Sequence, residues 1–544
     1  MVTTLFLRRN VVENNQGSFL DKNTIIAIVL TIIVWVGWSQ YMAKKYPEAE
    51  KEALIETLAG KDSTKIDANV KQSIEANLEP SLDQSQKEVA ATTINKDVKP
   101  VVFDFPKLSF TVSPLGMGLN EIILKDYTDR EDKNIQLSVS SKTYSNFATK
   151  LEGKDELLFF DLKKISETEV IGEGSFEGVT YEKKYKINPE TFSIDASLSV
   201  KGENTLPQFE TLITEKANAP AASSMLSPSM EKQEVIVKHK DGDDREIFNN
   251  QEPFVGDFNS VYMASLSSHY FATAVMDMSD VIPNFKANYD KANETMIGKL
   301  IYPSFAGTKS LDLKYKLYFG PKDVSTLQSV NANLSELVDF GMFSFIAEPL
   351  LRLMKWFYSF LGNWGLAIIA LTVLVRLVVL PFNVMSYKSM SKMQAIQPTL
   401  KAVREKYKDD PVRMNQEVMG IMKQEKVNPA GGCLPMLLQF PIFIALYRVL
   451  SESIDLYKAP FGLWITDLSL KDPYYVLPIL MGISMFLQQK ITPSTMDPQQ
   501  QKVMAFMPIV FSLLMISLPS GLTLYIFVST IFGVIQQQLF MKKA

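Results

Sequence analysis

Cysteine and histidine are nearly missing from this chain. Its 544 residues include one cysteine, Cys433, and two histidines, His239 and His269. A single cysteine excludes an intramolecular disulfide. Both histidines precede the apolar C-terminal part, so metal-ligand clusters and Ser/His or Cys/His catalytic arrangements are excluded there. The net charge of -4 gives no indication of nucleic-acid binding.

Carboxylates are missing from the long apolar runs. Five such runs, at 24–42, 434–450, 474–489, 503–518 and 522–540, contain no aspartate or glutamate. A sixth run, at 366–385, carries Arg376 near its middle and also lacks an acid. Placing an arginine at the centre of a transmembrane helix costs about 2.5–3.5 kcal/mol on insertion scales. Arg376 is therefore predicted to be solvated by water, by uncharged polar groups or by a visiting segment of another molecule.

The apolar runs and the loop charges predict a polytopic membrane protein. The run at 24–42 is interpreted as an uncleaved anchor rather than a signal peptide, because it is long and bulky residues occupy the cleavage region. Lys and Arg are abundant at 386–432 and scarce at 451–473, which places the first of these loops in the cytoplasm. Six spans with both termini in the cytoplasm satisfy every loop and leave 43–340 outside.

The outer region divides into a linker and a folded domain. Residues 47–100 contain no aromatic side chain and are rich in charged and small polar residues, so 43–100 is predicted to be a flexible linker. From 101 to 321, short alternating runs such as LSFTV and LDLKYKLYF are typical of a β-sandwich. The segment 322–361 is predicted to be a connecting helix followed by an amphipathic helix on the outer membrane surface.

The basic loop at 386–432 is predicted to be a helical hairpin. Apolar residues recur at heptad-like spacing in its first half, and a second stripe follows a turn in which Asp410 caps a helix and Pro411 begins it. The residues expected to meet across the hairpin are Met393, Ile396, Leu400, Val403, Met414 and Val418. A solvated positive loop is the alternative, but such a loop needs no paired apolar stripes.

Uncharged polar residues inside the runs are candidates for solvating Arg376. Thr372 lies one helical turn before Arg376 on the same face, whereas a single Ser or Thr elsewhere is expected to bond its own helix backbone. Methionine and phenylalanine recur at 434–450 and 503–518. They are interpreted either as ordinary packing or as an adaptable surface for varied apolar helices.

Several long motifs give the chain a family resemblance. They include NPAGGCLPMLLQFPIFIALY at 428–447, DPQQQKVMAFMPIVF at 497–511 and LPSGLTLYIFVSTIFGVIQQQLF at 518–540. In these motifs and their order the chain resembles bacterial members of the YidC/Alb/Oxa family of membrane protein insertases. The resemblance implies an α-helical polytopic membrane protein with six transmembrane helices and a five-helix insertase core, plus an all-β periplasmic domain that forms a β-supersandwich.

Sequence and resemblance together predict an order of segments. These are a cytoplasmic N-terminus (1–23), a first span (24–42), the linker (43–100), the β-domain (101–321), the connecting and interfacial helices (322–361), spans at 362–385, 433–450, 474–489, 503–518 and 519–540, the cytoplasmic hairpin (386–432), a periplasmic loop (451–473), a cytoplasmic loop (490–502) and a cytoplasmic tail (541–544).

The resemblance also implies a function: a non-enzymatic insertase and chaperone of the bacterial inner membrane that uses no cofactor or metal. The implied sites are a hydrophilic groove of Arg376, Thr372, Gln439, Ser512 and Tyr525, and substrate contacts at Met436, Phe443, Phe506 and Met507. Expected partners are nascent membrane proteins, the Sec translocon, membrane lipids and the ribosome. The alternatives are a transporter with a periplasmic binding domain and a structural scaffold, although acid-free spans argue against proton coupling.

Three features depart from the family pattern. The chain stops at Lys542, Lys543 and Ala544 without a long basic tail, so ribosome docking is expected to be weak. Ile526 follows Tyr525 where some relatives have a second tyrosine. The family-like sequence begins near residue 21, so translation is expected to start at Leu20 through an alternative start codon.

Overall fold

The computed structural model describes most of the chain after residue 98. The described residues are 99–137, 145–154, 157–203, 205–217, 232–239, 242–248, 255–425, 427, 434–492 and 498–541. They lie in one compact unit, 95–544. The predicted N-terminus, the anchor at 24–42 and the linker up to residue 98 lie outside the described residues.

The N-terminal part of the described chain is built from β-strands. They are β1 (Val101–Asp104), β2 (Leu108–Val112), β3 (Leu119–Thr128), β4 (Asn134–Gln136), β5 (Thr149–Leu151), β6 (Asp161–Lys164), β7 (Glu169–Phe176), β8 (Val179–Asn188), β9 (Ser193–Lys201), β10 (Thr205–Leu206), β11 (Phe209–Lys216), β12 (Glu234–His239), β13 (Gly242–Ile247), β14 (Val255–Phe258), β15 (Val261–Ser267), β16 (Phe271–Asp277), β17 (Asn284–Asp290), β18 (Thr295–Tyr302), β19 (Phe305–Ala306) and β20 (Ser310–Pro321).

These strands pair into two large antiparallel sheets and two smaller ones. The larger sheet runs β13-β12-β15-β16-β20-β9-β8-β7-β6, and the next runs β14-β17-β18-β11-β5. A four-stranded sheet, β1-β2-β3-β4, and the pair β10-β19 complete the set. Strand β8 alternates buried and exposed residues along its length, as a strand with one face on the core does. The prediction of a large all-β domain is confirmed.

Helices follow the last strand. They are α1 (Val324–Val330), α2 (Ser344–Leu361), α3 (Trp364–Lys406), α4 (Pro411–Gln424), α5 (Leu434–Glu452), α6 (Val476–Ile491), α7 (Pro498–Met515) and α8 (Ser520–Met541). Gly362, in the left-handed conformation at φ 62°, ends α2. The Asn363 side chain caps α3 by accepting a hydrogen bond from the Leu366 amide at 3.0 Å.

Helix α2 matches the amphipathic segment expected before the first core span. Its inner face buries Ala347, Leu350, Leu351 and Met354. The other side exposes the rings of Phe345, Trp356 and Phe360. Large exposed aromatic rings beside an apolar helical region are typical of a helix that lies at a membrane interface.

Helix α3 is continuous through the boundary that the sequence placed at 385/386. It joins the predicted span at 362–385 to the first arm of the hairpin without a break. Pro381 and Pro398 lie inside it. Each proline removes one helical N–H, but the helix continues past both. The change from apolar to basic composition therefore marks a change of surroundings, not a helix end.

Two of the described helices are long and apolar enough to cross a membrane. They are Trp364–Lys406 and Ser520–Phe540. Two shorter apolar helical stretches, Val476–Ile491 and Ala505–Met515, accompany them. The number of six spans stays a prediction.

The hairpin arms pack against each other through an apolar seam. Met393 and Leu400 of α3 form a buried cluster with Val418 and Met422 of α4 and with Val427. Ile396, Val403 and Ile421 flank this cluster, and Met414 is half-buried. As predicted, Asp410 caps α4: its carboxylate accepts a hydrogen bond from the Arg413 amide at 3.0 Å, and Pro411 begins the helix.

Candidate polar groove

Arg376 has an uncharged partner on the last helix. Its Nε and Nη2 groups donate to the Ser529 hydroxyl at 2.8 and 2.6 Å. Arg376 is half-buried and Ser529 is buried. Among the ion pairs of the described residues, none involves Arg376, in agreement with the acid-free apolar runs. The helices α3 and α8 therefore meet around a charge that a hydroxyl solvates.

A second polar layer lies next to this contact, toward the C-terminal end of α3. The Gln536 side-chain amide donates to the Arg376 carbonyl at 3.4 Å, and the Asn383 amide donates to Gln536 Oε1 at 3.4 Å. Gly533 lies between the two layers, where an added Cβ would come 3.0 Å from Gln488 Nε2 and 3.8 Å from Arg376 Nη1. Helix α8 thus presents polar side chains to α3 and, between them, a glycine that is closely approached by Gln488.

Tyr525 connects α8 to α5. The Gln439 amide donates to the Tyr525 hydroxyl at 3.1 Å, and the Phe443 ring lies 6.4 Å from the Tyr525 ring. Tyr525 and Ser529 are four residues apart and share one face of α8. The predicted residues Arg376, Gln439, Tyr525 and Phe443 are thus connected through a single helix.

Two predicted groove hydroxyls are used elsewhere. The Thr372 hydroxyl donates to the Ile368 carbonyl of its own helix at 2.6 Å, and the residue is only 1% exposed. The Ser512 hydroxyl donates to the Pro478 carbonyl of α6 at 2.6 Å. The structure therefore does not bring either hydroxyl to Arg376. In an apolar setting a hydroxyl takes the nearest carbonyl, which for Thr372 is one turn earlier in the same helix.

The expected substrate contacts lie on α5 and α7. Phe506 and Met507 of α7 are 65% and 43% exposed, and Phe443 of α5 is half-buried. Met436 belongs to α5, but its side chain is outside the described residues. Phe440, one turn from Met436 and not predicted from the sequence, is 60% exposed. Both helices therefore offer large apolar side chains outside the packed core.

Sequence reasoning counted Ser529 and Gln536 among the polar residues available to solvate Arg376 but did not assign them to the groove, and it missed Asn383. A signal was present, because Tyr525, Ser529 and Gln536 fall near one face of an apolar helix. A polar stripe on α8 could therefore have been paired with the lone arginine on α3. Whether this stripe faces Arg376, however, depends on how α3 and α8 pack.

The β-domain holds the C-terminal end of α5 through buried polar contacts. His269 Nε2 lies 2.8 Å from the Ser451 carbonyl, and Lys232 pairs with Glu452 at 3.4 Å. Burial lowers the pKa of His269 below its ordinary value. Burial also lowers the pKa of Lys322 to about 8, although nearby Glu234 opposes this shift.

The loop after α5 is also held by contacts with the β-domain. The Lys458 ammonium donates to Thr128 Oγ1 and to the Asp129 carbonyl, both at 2.8 Å. Arg130 of the β-domain pairs with Asp467. One side of the groove is thus fixed to the folded β-domain.

Comparison with known families divides the chain into two parts, with the boundary inside α2. A family described as 60Kd inner membrane protein matches residues 356–544, and the YidC periplasmic domain matches residues 101–353. Fold, polar groove and these matches define a class: inner membrane proteins with a large periplasmic β-domain and a helical membrane region.

Similar proteins identify the family. The membrane protein insertase YidC of Geobacter metallireducens is 34% identical over 546 residues, covering 95% of this chain and 98% of that protein. YidC of Tolumonas auensis is 32% identical and covers 96% and 97% of the two chains. The chain belongs to the YidC family of membrane protein insertases, which confirms the resemblance and leaves the transporter alternative unsupported.

One solved structure, an active YidC insertase with its first transmembrane domain resolved, aligns over 81% of this chain and 94% of that chain. Its sequence identity is 17% and its TM-score is 0.36, so no argument about this chain rests on the alignment.

Proposed function

We propose that this protein inserts and helps to fold membrane proteins through a hydrated groove lined by α3, α5, α7 and α8. The contact between Arg376 and Ser529 carries the proposal. It puts a positive charge in an apolar helix with an uncharged partner, so other guanidinium N–H groups remain available to water or to a polar part of a substrate. A buried arginine that served only structure would be expected to have a carboxylate partner.

The groove lowers the cost of carrying a polar loop or terminus partway across the membrane. Removing a polar group from water without a new hydrogen bond costs roughly 1–3 kcal/mol in proteins. Water and polar side chains around Arg376 reduce that cost for each group that enters. The apolar remainder of the substrate then leaves sideways into lipid, driven by about 25 cal/mol per Å² of apolar surface removed from water. No covalent step is needed.

The substrate path follows α5 and α7. Phe440 on α5 and Phe506 and Met507 on α7 are exposed, and an apolar substrate helix would slide between them. Long, unbranched methionine and flat phenylalanine side chains adapt to substrates of different shape. Nascent membrane proteins are therefore the proposed substrates.

The proposed arrangement has six spans, with both termini and the hairpin in the cytoplasm and the β-domain in the periplasm. The Lys and Arg excess at 386–432 supports this orientation. The exposed rings of α2 would rest on lipid at the outer surface. We propose the Sec translocon as a partner for larger substrates and weak ribosome docking through the hairpin and tail.

Reconstitution tests the proposal. Purified protein in liposomes is given a short single-span substrate, and the protease-protected fraction is followed over time for wild type, Arg376→Ala and Arg376→Lys. We expect insertion by wild type, a large loss in Arg376→Ala and partial retention in Arg376→Lys, because lysine keeps the charge but not the guanidinium geometry.

The matched control is Arg352→Ala. Arg352 is an exposed arginine of α2 that pairs with Glu348 at 3.3 Å. It belongs to the helix proposed to lie on the outer surface and is not part of the contact with Ser529. The Arg352→Ala variant should insert substrate at the wild-type rate. Absence of insertion by wild type, or equal loss in Arg352→Ala and Arg376→Ala, would contradict the proposal.

A further inference from the structure

Helix α7 packs through one narrow stripe. Between residues 505 and 515 its buried residues are Pro508 and Met515, one face of the helix. The large apolar residues on the remaining surface are exposed: Phe506, Met507, Ile509, Val510, Leu513 and Leu514. A helix with most of its circumference unpacked has few contacts to oppose a change of tilt.

The stripe approaches α6 closely at Ser512. The Ser512 hydroxyl donates to the Pro478 carbonyl at 2.6 Å. Gly482 faces this serine, and an added Cβ there would come 3.0 Å from Ser512 Oγ and 3.1 Å from Ser512 Cβ. Glycine therefore allows the two helices to approach closely at this level, and the hydroxyl holds them there.

Helix α5, the other proposed wall of the groove, is held at both ends of its described part. Gln439 bonds to Tyr525 of α8 near one end, and Ser451 and Glu452 contact His269 and Lys232 of the β-domain at the other. The two apolar helices that flank the groove are thus unequal. One is fixed by polar contacts to two other elements, and the described part of the other packs mainly on α6, which it approaches closely at Gly482 and Ser512.

We propose that α7 is the movable wall of the groove and that Gly482 and Ser512 are the residues that position it. The contact sets the distance between α7 and α5 and therefore the thickness of apolar helix that the groove admits. The inference rests on the proposed function, in which apolar substrate helices pass between these two walls.

The position of the contact determines which end moves. From Pro498 to Ser512 the helix rises about 21 Å. A tilt of roughly 10° about Ser512 would displace the cytoplasmic end by about 4 Å, which exceeds the range of about 2 Å over which side-chain size changes the distance between packed helices. The outer end, near Met515, would hardly move. The groove would therefore widen from the cytoplasmic side.

The first test measures distance without requiring insertion. Cysteines replace the exposed residues Phe440 and Met507 in a Cys433→Ser background, and spin labels on them report the separation of the walls in lipid nanodiscs. Gly482→Ala should shift the mean distance by about 1 Å, because an added Cβ meets Ser512 and Met507 lies only about 7.5 Å along the helix from that residue. The double variant Gly482→Ala, Ser512→Gly should restore it, because the obstructing side chain is gone. Ser512→Ala should broaden the distribution.

The matched control is Gly420→Ala, also a glycine within a helix, where an added Cβ meets nothing within 4 Å. It should leave the distance unchanged. An unchanged distance in Gly482→Ala, or a shift that the double variant does not reverse, would overturn the inference. The reversal also separates a local effect from general misfolding.

The second test compares insertion of a thin, Ala/Leu-rich span with that of a Phe/Trp-rich span. Gly482→Ala should change the ratio of the two rates by about threefold or more, the scale on which apolar fit discriminates, and the double variant should return it. An unchanged ratio despite a shifted distance would overturn the specificity role. Failure of the wild-type protein to insert either span would instead refute the proposed function. The distance measurement would still decide whether Gly482 and Ser512 position α7 as inferred.

Discussion

Ser529→Ala is the substitution that tests the groove most directly, because the Ser529 hydroxyl accepts two N–H groups of Arg376 at 2.8 and 2.6 Å. Hydrogen bonds to charged groups contribute about 1.5–3 kcal/mol. Since Arg376 is half-buried, water can replace part of the lost contact, and we expect the lower end of that range. Alanine leaves the guanidinium less well oriented without changing its charge.

A loss of about 1.4 kcal/mol in transition-state stabilisation is tenfold in rate. We therefore expect Ser529→Ala to insert a single-span substrate roughly tenfold more slowly than wild type. Ser529→Thr keeps the hydroxyl and should recover most of the rate. The assay is the liposome reconstitution with a protected-fragment readout, supported by thermal unfolding of the purified protein in detergent.

Thr530→Ala is the matched control. Thr530 is the buried neighbour of Ser529, but its hydroxyl donates to the Ile526 carbonyl of its own helix at 2.7 Å. Its removal should leave insertion near the wild-type rate. If Ser529→Ala slows insertion no more than Thr530→Ala does, while Arg376→Ala abolishes it, the claim that Ser529 positions the arginine is refuted.

Three further predictions concern stability. Burial raises the pKa of Glu215 to about 8, so between about pH 4.5 and 8 the folded state keeps a proton that the unfolded state has released. The stability of wild type relative to Glu215→Gln should therefore fall as the pH rises through that range. A pH-independent difference between their unfolding temperatures would contradict this prediction. Asp410→Ala should remove the cap of α4, cost about 1 kcal/mol, and speed amide hydrogen exchange at 412–414 more than Asp409→Ala does. Leu400 has 0% exposure, so Leu400→Ala should reduce the free energy of unfolding by about 2–5 kcal/mol and lower the unfolding temperature of the purified protein. Met414→Ala, at the half-buried edge of the hairpin, should cost clearly less. Equal losses would show that Leu400 is not the centre of the seam.

Much of the fold could be predicted because its signals are local. The all-β domain followed from short alternating runs between 101 and 321, and β20 ends at Pro321, where the sequence ended the domain. The Asp410–Pro411 helix start followed from the chemistry of a single cap. The hairpin seam followed from apolar spacing within each arm, since residues three or four apart share a helix face. The continuity of α3 through 385/386 was not predicted. The composition changes there from apolar to basic, which suggests a boundary between segments, although the helix propensity stays the same.

The sequence by itself determined that Arg376 has no acidic partner in the apolar runs, since no aspartate or glutamate exists there to pair with it. It also determined the family, through motifs that occur in the same order along the chain. Only the tertiary structure decided which uncharged group meets the guanidinium. Ser529 lies 153 residues away from Arg376. Whether its side chain points toward Arg376 depends on the rotation of α8 against α3, which no local sequence pattern determines. For the same reason Thr372, close in sequence, bonds its own helix, and Ser512 bonds α6: a hydroxyl's partner depends on which carbonyl the packed helices bring within reach.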